Sequence, residues 1–161
     1  VNVPKYLFLL SKNVSSLINF LLTLIIFFIF VAFDGIAFTW KFLLLIYPIC
    51  CLVIFNIGVG FILSALYVFY RDIQYLYDIF TMLLMYVSAI FYTIDAFPAA
   101  YQKLFYLNPI YVYITYFRSI VIGGVIPGII VHILCLLYSL LVIVAGGWFY
   151  KKYNYKFLYY V

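Results

Sequence analysis

The sequence predicts an all-α, polytopic membrane protein, and three observations carry that prediction. Of its 161 residues, 71% are hydrophobic and 8% charged, a balance that leaves no polar cover for a water-soluble core. The apolar residues fall in runs of about 20 or more, the length needed to cross a hydrocarbon core of about 30 Å. These runs lack the period-two alternation of barrel strands, so the spans are helices whose amides pair within their own segment. The expected architecture is a single transmembrane domain over residues 1–161, with four spans and a re-entrant helical hairpin.

The first span covers about residues 14–33, with Lys5 and Lys12 before it and Asp34-Gly35 turning the chain after it. It is too long for the apolar region of a signal peptide, and no small-x-small cleavage site follows, so it is expected to stay in the membrane. The second covers about residues 42–70, and as a helix it would be about 44 Å long, more than the core requires. Pro48 offers one place to bend it. Asn56, Gly60 and Ser64 recur along it at i, i+4 and i+8, a stripe suited to close helix packing or to lining a pore.

Arg71-Asp72 ends the second run, and residues 73–78 read as a short amphipathic connector at the interface. The third span covers about residues 79–97, with Asp95 near its far end and Pro98 stopping it. A mixed stretch, residues 98–127, is broken by Asn108-Pro109 and carries Lys103 and Arg118. The final span, about residues 128–150, runs into Lys151, Lys152 and Lys156.

The mixed stretch is expected to dip into the outer leaflet and return. Its long apolar run, residues 110–122, would reach only about 20 Å as a helix. Extending the run backward meets Asn108-Pro109, a turn or helix start, and Arg118 in lipid would cost about 2.5–3.5 kcal/mol on insertion scales. Charge counting agrees. With a non-crossing hairpin, Lys5, Lys12, Arg71, Lys151, Lys152 and Lys156 are cytosolic against Lys41, Lys103 and Arg118 outside, as the positive-inside rule requires. A crossing would leave Lys5, Lys12 and Arg71 inside against five lysines outside, with Arg118 buried. Both ends of the chain are therefore expected in the cytosol. The hairpin reads either as an outer gate facing a conduit or as a loop that caps the bundle.

The net charge of +5 sits at the ends of the apolar runs, which points to membrane orientation rather than nucleic-acid binding. There is no phosphate-binding G-x-x-x-x-G-K-[ST] loop, no H-E-x-x-H, no G-x-S-x-G and no paired carboxylates, so no catalytic, cofactor or metal residue is assigned. Cys50, Cys51 and Cys135 read as small hydrophobes, and His132, with no acid or thiol partner evident, as a packed side chain. Aromatics make up 24% of the chain. They fit an interfacial belt, a biased coding composition, or rings that stack on a passing sugar, for which Tyr86 and Tyr92 within the third span are the candidate conduit-lining pair. Arg71 and Asp72 fit a snorkelling helix end or an ion-pair anchor toward a cytosolic motor.

Several blocks together resemble the ABC-2 type permeases that export lipid-linked polysaccharides such as O-antigen and teichoic-acid polymers. They are Val3-Pro4-Lys5-Tyr6, Leu10-Ser11-Lys12, Ser15-Ser16-Leu17-Ile18-Asn19-Phe20, then Ser64-Ala65-Leu66-Tyr67-Val68-Phe69-Tyr70-Arg71-Asp72-Ile73-Gln74, Ile90-Phe91-Tyr92, and Tyr106-Leu107-Asn108-Pro109. Many members carry proline where Ala89 stands, and members are usually longer at the amino end, so the chain is similar to the carboxyl-terminal four spans. The resemblance implies a multi-pass cytoplasmic-membrane protein working as a homodimer on ATP-binding cassette subunits. ATP and Mg would bind those partners and not this chain, and the cargo would be a polyprenyl-diphosphate-linked glycan. It also implies that the hairpin, with Asn108, Pro109 and Arg118, is the outer gate. The rival readings are an ABC-2 permease for a drug or other lipid, and a membrane glycan-processing protein without a transport role.

Overall fold

The computed structural model describes residues 5–36, 38–70, 72–94 and 97–153. Among these every regular element is helical: α1 (Lys5–Phe33), a 3₁₀ segment (Trp40–Leu45), α2 (Ile46–Phe69), α3 (Ile73–Val87), α4 (Ala99–Phe105), α5 (Pro109–Val121) and α6 (Ile129–Tyr153). Three stretches are long and apolar enough to cross a membrane: Asn13–Phe33, Trp40–Tyr67 and Ile129–Lys152. They coincide with the first, second and last expected spans. The fold class is all-α, as the composition demands.

Local chemistry sets the helix ends. α1 closes in a Schellman turn: Gly35 takes φ +73°, its N–H meets the Ala32 carbonyl at 3.3 Å, and the Ile36 N–H meets Val31 at 3.4 Å, leaving few orphan carbonyls. Within the long second run the helix type changes from 3₁₀ to α at Ile46, so Pro48 falls in the first turn of α2, where a missing N–H is tolerated.

The third run departs most from expectation. Its helix spans Ile73–Val87, so residues 73–78 form its first turns rather than a connector, and its helical part is about 22 Å long against a core of about 30 Å. Ile90, Phe91, Tyr92 and Thr93 are apolar enough to continue a span but are not helical, although α1 is helical through an equally β-branched and aromatic run. Ala89, just before this run, takes φ +52°, a left-handed backbone that proline, fixed near −65°, cannot adopt.

α2 and α6 form the principal pair, and their contacts advance together along both chains. The Tyr47 hydroxyl donates to the His132 carbonyl at 2.8 Å, Gly58 meets Gly146, and the Phe61 and Tyr150 rings lie 5.3 Å apart. The helices are therefore parallel, and Tyr70, Lys151 and Lys152 lie at one end. The buried seam is made of small residues, Cys51, Gly58 and Ala65 on α2 against Cys135, Ser139 and Gly146 on α6. At 3.6 residues per turn this seam is about 160° around α2 from the stripe of Asn56, Gly60 and Ser64. That stripe lies away from the seam, and Asn56 is exposed.

The most buried element is short. α5 contributes Tyr111, Val112, Tyr113, Tyr116, Ile120 and Val121 to the core. It runs antiparallel to α6, with Tyr113 Oη donating to the Cys135 carbonyl at 3.1 Å and Tyr116 Oη meeting His132 Nε2 at 2.8 Å. Just before α5 begins, the Tyr106 carbonyl accepts from Tyr138 Oη at 2.8 Å. Tyr138 is the tenth residue of α6, so the turn between α4 and α5 reaches about 14 Å down a helix about 38 Å long. Lys41, in the 3₁₀ segment, donates to the Gly124 carbonyl and ties the far end of α5 to the entry of α2.

Candidate functional site

The candidate site is the α4–α5 hairpin where it meets the broken end of α3. Asn108 caps α5: its Oδ1 accepts from the Ile110 N–H at 3.0 Å, and Pro109 occupies the first helical position, where its fixed φ suits a helix start. The same side chain faces outward from the cap. Its Nδ2 donates to Ser88 Oγ at 2.9 Å, so one amide both starts α5 and holds the residue after α3.

Ten residues along α5, the half-buried Arg118 donates from Nη2 to the Ile90 carbonyl at 2.7 Å. Between these two anchors lie Ser88 and Ala89, both fully buried. Irregular backbone at membrane depth survives only where protein covers it and satisfies its polar groups. Arg118 satisfies the Ile90 carbonyl and Asn108 the Ser88 hydroxyl, while the Ile90 side chain is exposed. The expected outer-gate residues Asn108, Pro109 and Arg118 thus fall on one element, and the first and last of them clamp the non-helical part of the third run.

Tyr86 and Tyr92 also come together. Tyr92 Oη donates to the Tyr86 carbonyl at 3.0 Å, and both rings are exposed. Tyr92 sits 5.8 Å from Phe97 and 6.3 Å from Phe105, and Phe105 lies 5.5 Å from Tyr111. An aromatic surface therefore runs from the end of α3 onto the hairpin. Burial, with Tyr111 adding to it, pushes the Tyr106 phenol up from its ordinary value.

The candidate cytosolic anchor is only partly in view. Asp72 is exposed at the N-cap of α3, where its carbonyl, not its side chain, accepts from Tyr75 and Leu76 at 3.1 and 3.4 Å. Arg71 lies outside the described residues, as does Asp95.

The sequence reading missed the tyrosine ladder that mounts the hairpin. His132 belongs to it: Nδ1 faces the Gly128 carbonyl at 3.3 Å, and because a carbonyl only accepts, Nδ1 carries the proton and Nε2 accepts from Tyr116. The imidazole is a fixed strut between α5 and α6. The signal was available in the spacing of Tyr113, Tyr116 and Ile120 at i, i+3 and i+7, one helical face. Of the cysteines, Cys51 and Cys135 are buried as expected and Cys50 is exposed.

Comparison with known proteins agrees with the architecture. Residues 3–122 match the ABC-2 type transporter family. The chain is also 30% identical over 105 residues to the O-antigen export system permease protein RfbA of Klebsiella pneumoniae, an alignment that covers 65% of this chain and 40% of that protein. The chain thus spans well under two thirds of the length of that relative. No solved structure matches it. The family match extends over about three quarters of the residues and takes in α1 to α5, including the clamped hairpin, so the chain belongs to the ABC-2 type transporter family.

Proposed function

We propose that the chain is a membrane-embedded portion of a permease that exports a lipid-linked polysaccharide across the cytoplasmic membrane, powered by a separate ATP-binding cassette subunit. The likeness to an O-antigen export permease carries this reading. ATP and Mg act on the partner subunit, a second permease copy completes the conduit, and the cargo is a glycan on a polyprenyl diphosphate.

The proposed topology has four crossings with the hairpin entering from outside and both chain ends in the cytosol. The parallel course of α2 and α6 supports it, because two parallel helices joined through one further crossing need a connection that does not cross again. The shallow reach of the hairpin along α6 and the distribution of basic residues support the same arrangement. In this reading Asn108, Pro109 and Arg118 form the outer gate, and Tyr86 and Tyr92 line the conduit, where exposed rings offer sequence-tolerant contacts to a moving sugar. Arg71 with Asp72 anchors the cytosolic end on the motor.

Deleting the coding sequence should abolish surface polymer and leave lipid-linked polymer inside the cell. Normal surface polymer with altered tolerance to a drug would replace the glycan reading with that of a drug or lipid permease. In the full permease, Arg71→Gln should lower binding of the cassette subunit more than Lys103→Gln does; equal binding would reduce Arg71 to an orientation signal.

A further inference from the structure

Between α1 and α5 lies an apolar groove of about 620 Å³, a volume typical of small-ligand sites. Phe20, Leu24 and Phe27 of α1 form one wall, and Ile114 and Phe117 of α5 the other. The rings of Phe27 and Phe117 lie 6.4 Å apart, which sets the two helices level. Along α1 the groove runs from Phe20 to Val31, about 16 Å, close to the roughly 15 Å of one leaflet.

Two charges stand on this mostly apolar lining, Arg118 and Asp34. Arg118 lies level with Phe28, so Asp34 is about 9 Å nearer the helix end. Among the described residues Arg118 has no carboxylate partner. Its contact with the Ile90 carbonyl uses one of the five N–H donors of a guanidinium. A half-buried cation beside an apolar groove, with a carboxylate above it, is complementary to a headgroup that carries phosphate below and ammonium above.

We propose that this groove holds one phospholipid with a zwitterionic, amine-bearing headgroup. One acyl chain lies between α1 and α5, the phosphate bonds Arg118, and the ammonium faces Asp34. A net-anionic headgroup would be repelled by Asp34, and a bare hydrocarbon would leave the guanidinium unmatched. The bound lipid seals the side of the hairpin that protein leaves open, whatever cargo the permease moves.

The test is to reconstitute the chain in vesicles of phosphatidylethanolamine and phosphatidylglycerol with a trace of phosphatidylethanolamine bearing a diazirine on one acyl chain. Cross-links are then mapped by mass spectrometry. Labelling at Phe20, Leu24 and Ile114 should exceed that at Ile133 and Leu137, exposed on α6, by about fivefold or more. Arg118→Gln and the groove-filling Leu24→Trp should each remove the excess without changing the α6 labelling, which reports that the fold is intact, and Arg118→Lys should keep much of it. Unlabelled phosphatidylethanolamine should displace the probe better than phosphatidylglycerol, Asp34→Asn should erase that preference, and inorganic phosphate should displace nothing. Equal labelling of groove and α6, or displacement equally by both phospholipids in the unaltered chain, would overturn the proposal. So would displacement by a trace of polyprenyl phosphate, which would assign the groove to the exported lipid's carrier.

Discussion

At the scale of single residues, the crossing of α2 and α6 depends on two glycines. A Cβ at Gly58 would fall 2.7 Å from the backbone of Val142 and Ile143, and one at Gly146 would collide with the Gly58 carbonyl, whereas Gly147 faces open space. We expect Gly146→Ala to destabilise the chain by about 1–3 kcal/mol through overpacking, and Gly147→Ala to be neutral or to stabilise by up to about 1 kcal/mol as better helix formers do. Thermal unfolding of both variants in the same detergent measures the difference, and equal shifts would show that the helices do not approach so closely. Ala89 offers a second single-residue test. Its left-handed backbone costs about 1–2 kcal/mol for a residue with a Cβ, so Ala89→Gly should stabilise by about 1 kcal/mol and Ala89→Pro should prevent correct assembly. A stable proline variant would mean that the run bends some other way. The glycine contact was not legible beforehand. The second run carries two small-residue stripes, Asn56-Gly60-Ser64 and Cys51-Gly58-Ala65, and hydropathy alone does not say which one meets a partner helix.

At the scale of elements, α5 was legible and the early end of the third helix was not. Residues 110–122 are too few to cross the core, and Asn108-Pro109 announces a helix start, so length and capping chemistry located α5 to within a residue. What they did not reveal is that α5 is the most buried element, because a stretch of tyrosines and isoleucines scores alike for an interface and for a core. The early end of α3 depends on tertiary contacts: nothing in its apolar content marks Val87 as the last helical residue, and the clamp from Asn108 and Arg118 is long-range. A double-mutant cycle on Asn108→Ala and Ser88→Ala isolates that clamp. Asn108→Ala alone should cost about 0.5–2 kcal/mol as a lost cap, and the pair should show a coupling of about 0.5–1.5 kcal/mol. Zero coupling would mean that the amide serves α5 only and leaves the third run free.

For the whole molecule, the telling relation is direction: α2 and α6 are parallel and α5 opposes them both. Composition foretold the all-α class and the three long spans, and the tyrosine contacts show that α6 runs parallel to α2 and antiparallel to α5. In intact vesicles or cells lacking the native cysteines, Trp40→Cys and Val125→Cys should react alike with an impermeant maleimide from outside, and Lys152→Cys only after the membrane is opened. Labelling of positions 125 and 152 from the same side would refute the non-crossing hairpin.

The Gly58–Gly146 contact also governs how the protein is made. Its two halves are 88 residues apart in the chain, so at about 5–20 residues per second of synthesis the inner face of α2 waits roughly 4–18 s for its partner. During that interval the exposed groove of glycine, alanine and cysteine must be kept from unrelated helices by the insertion machinery. Biogenesis, rather than the finished bundle, is where a bulky substitution along the seam of α2 should first be felt, as degradation of half-made chains before any loss of transport is measurable.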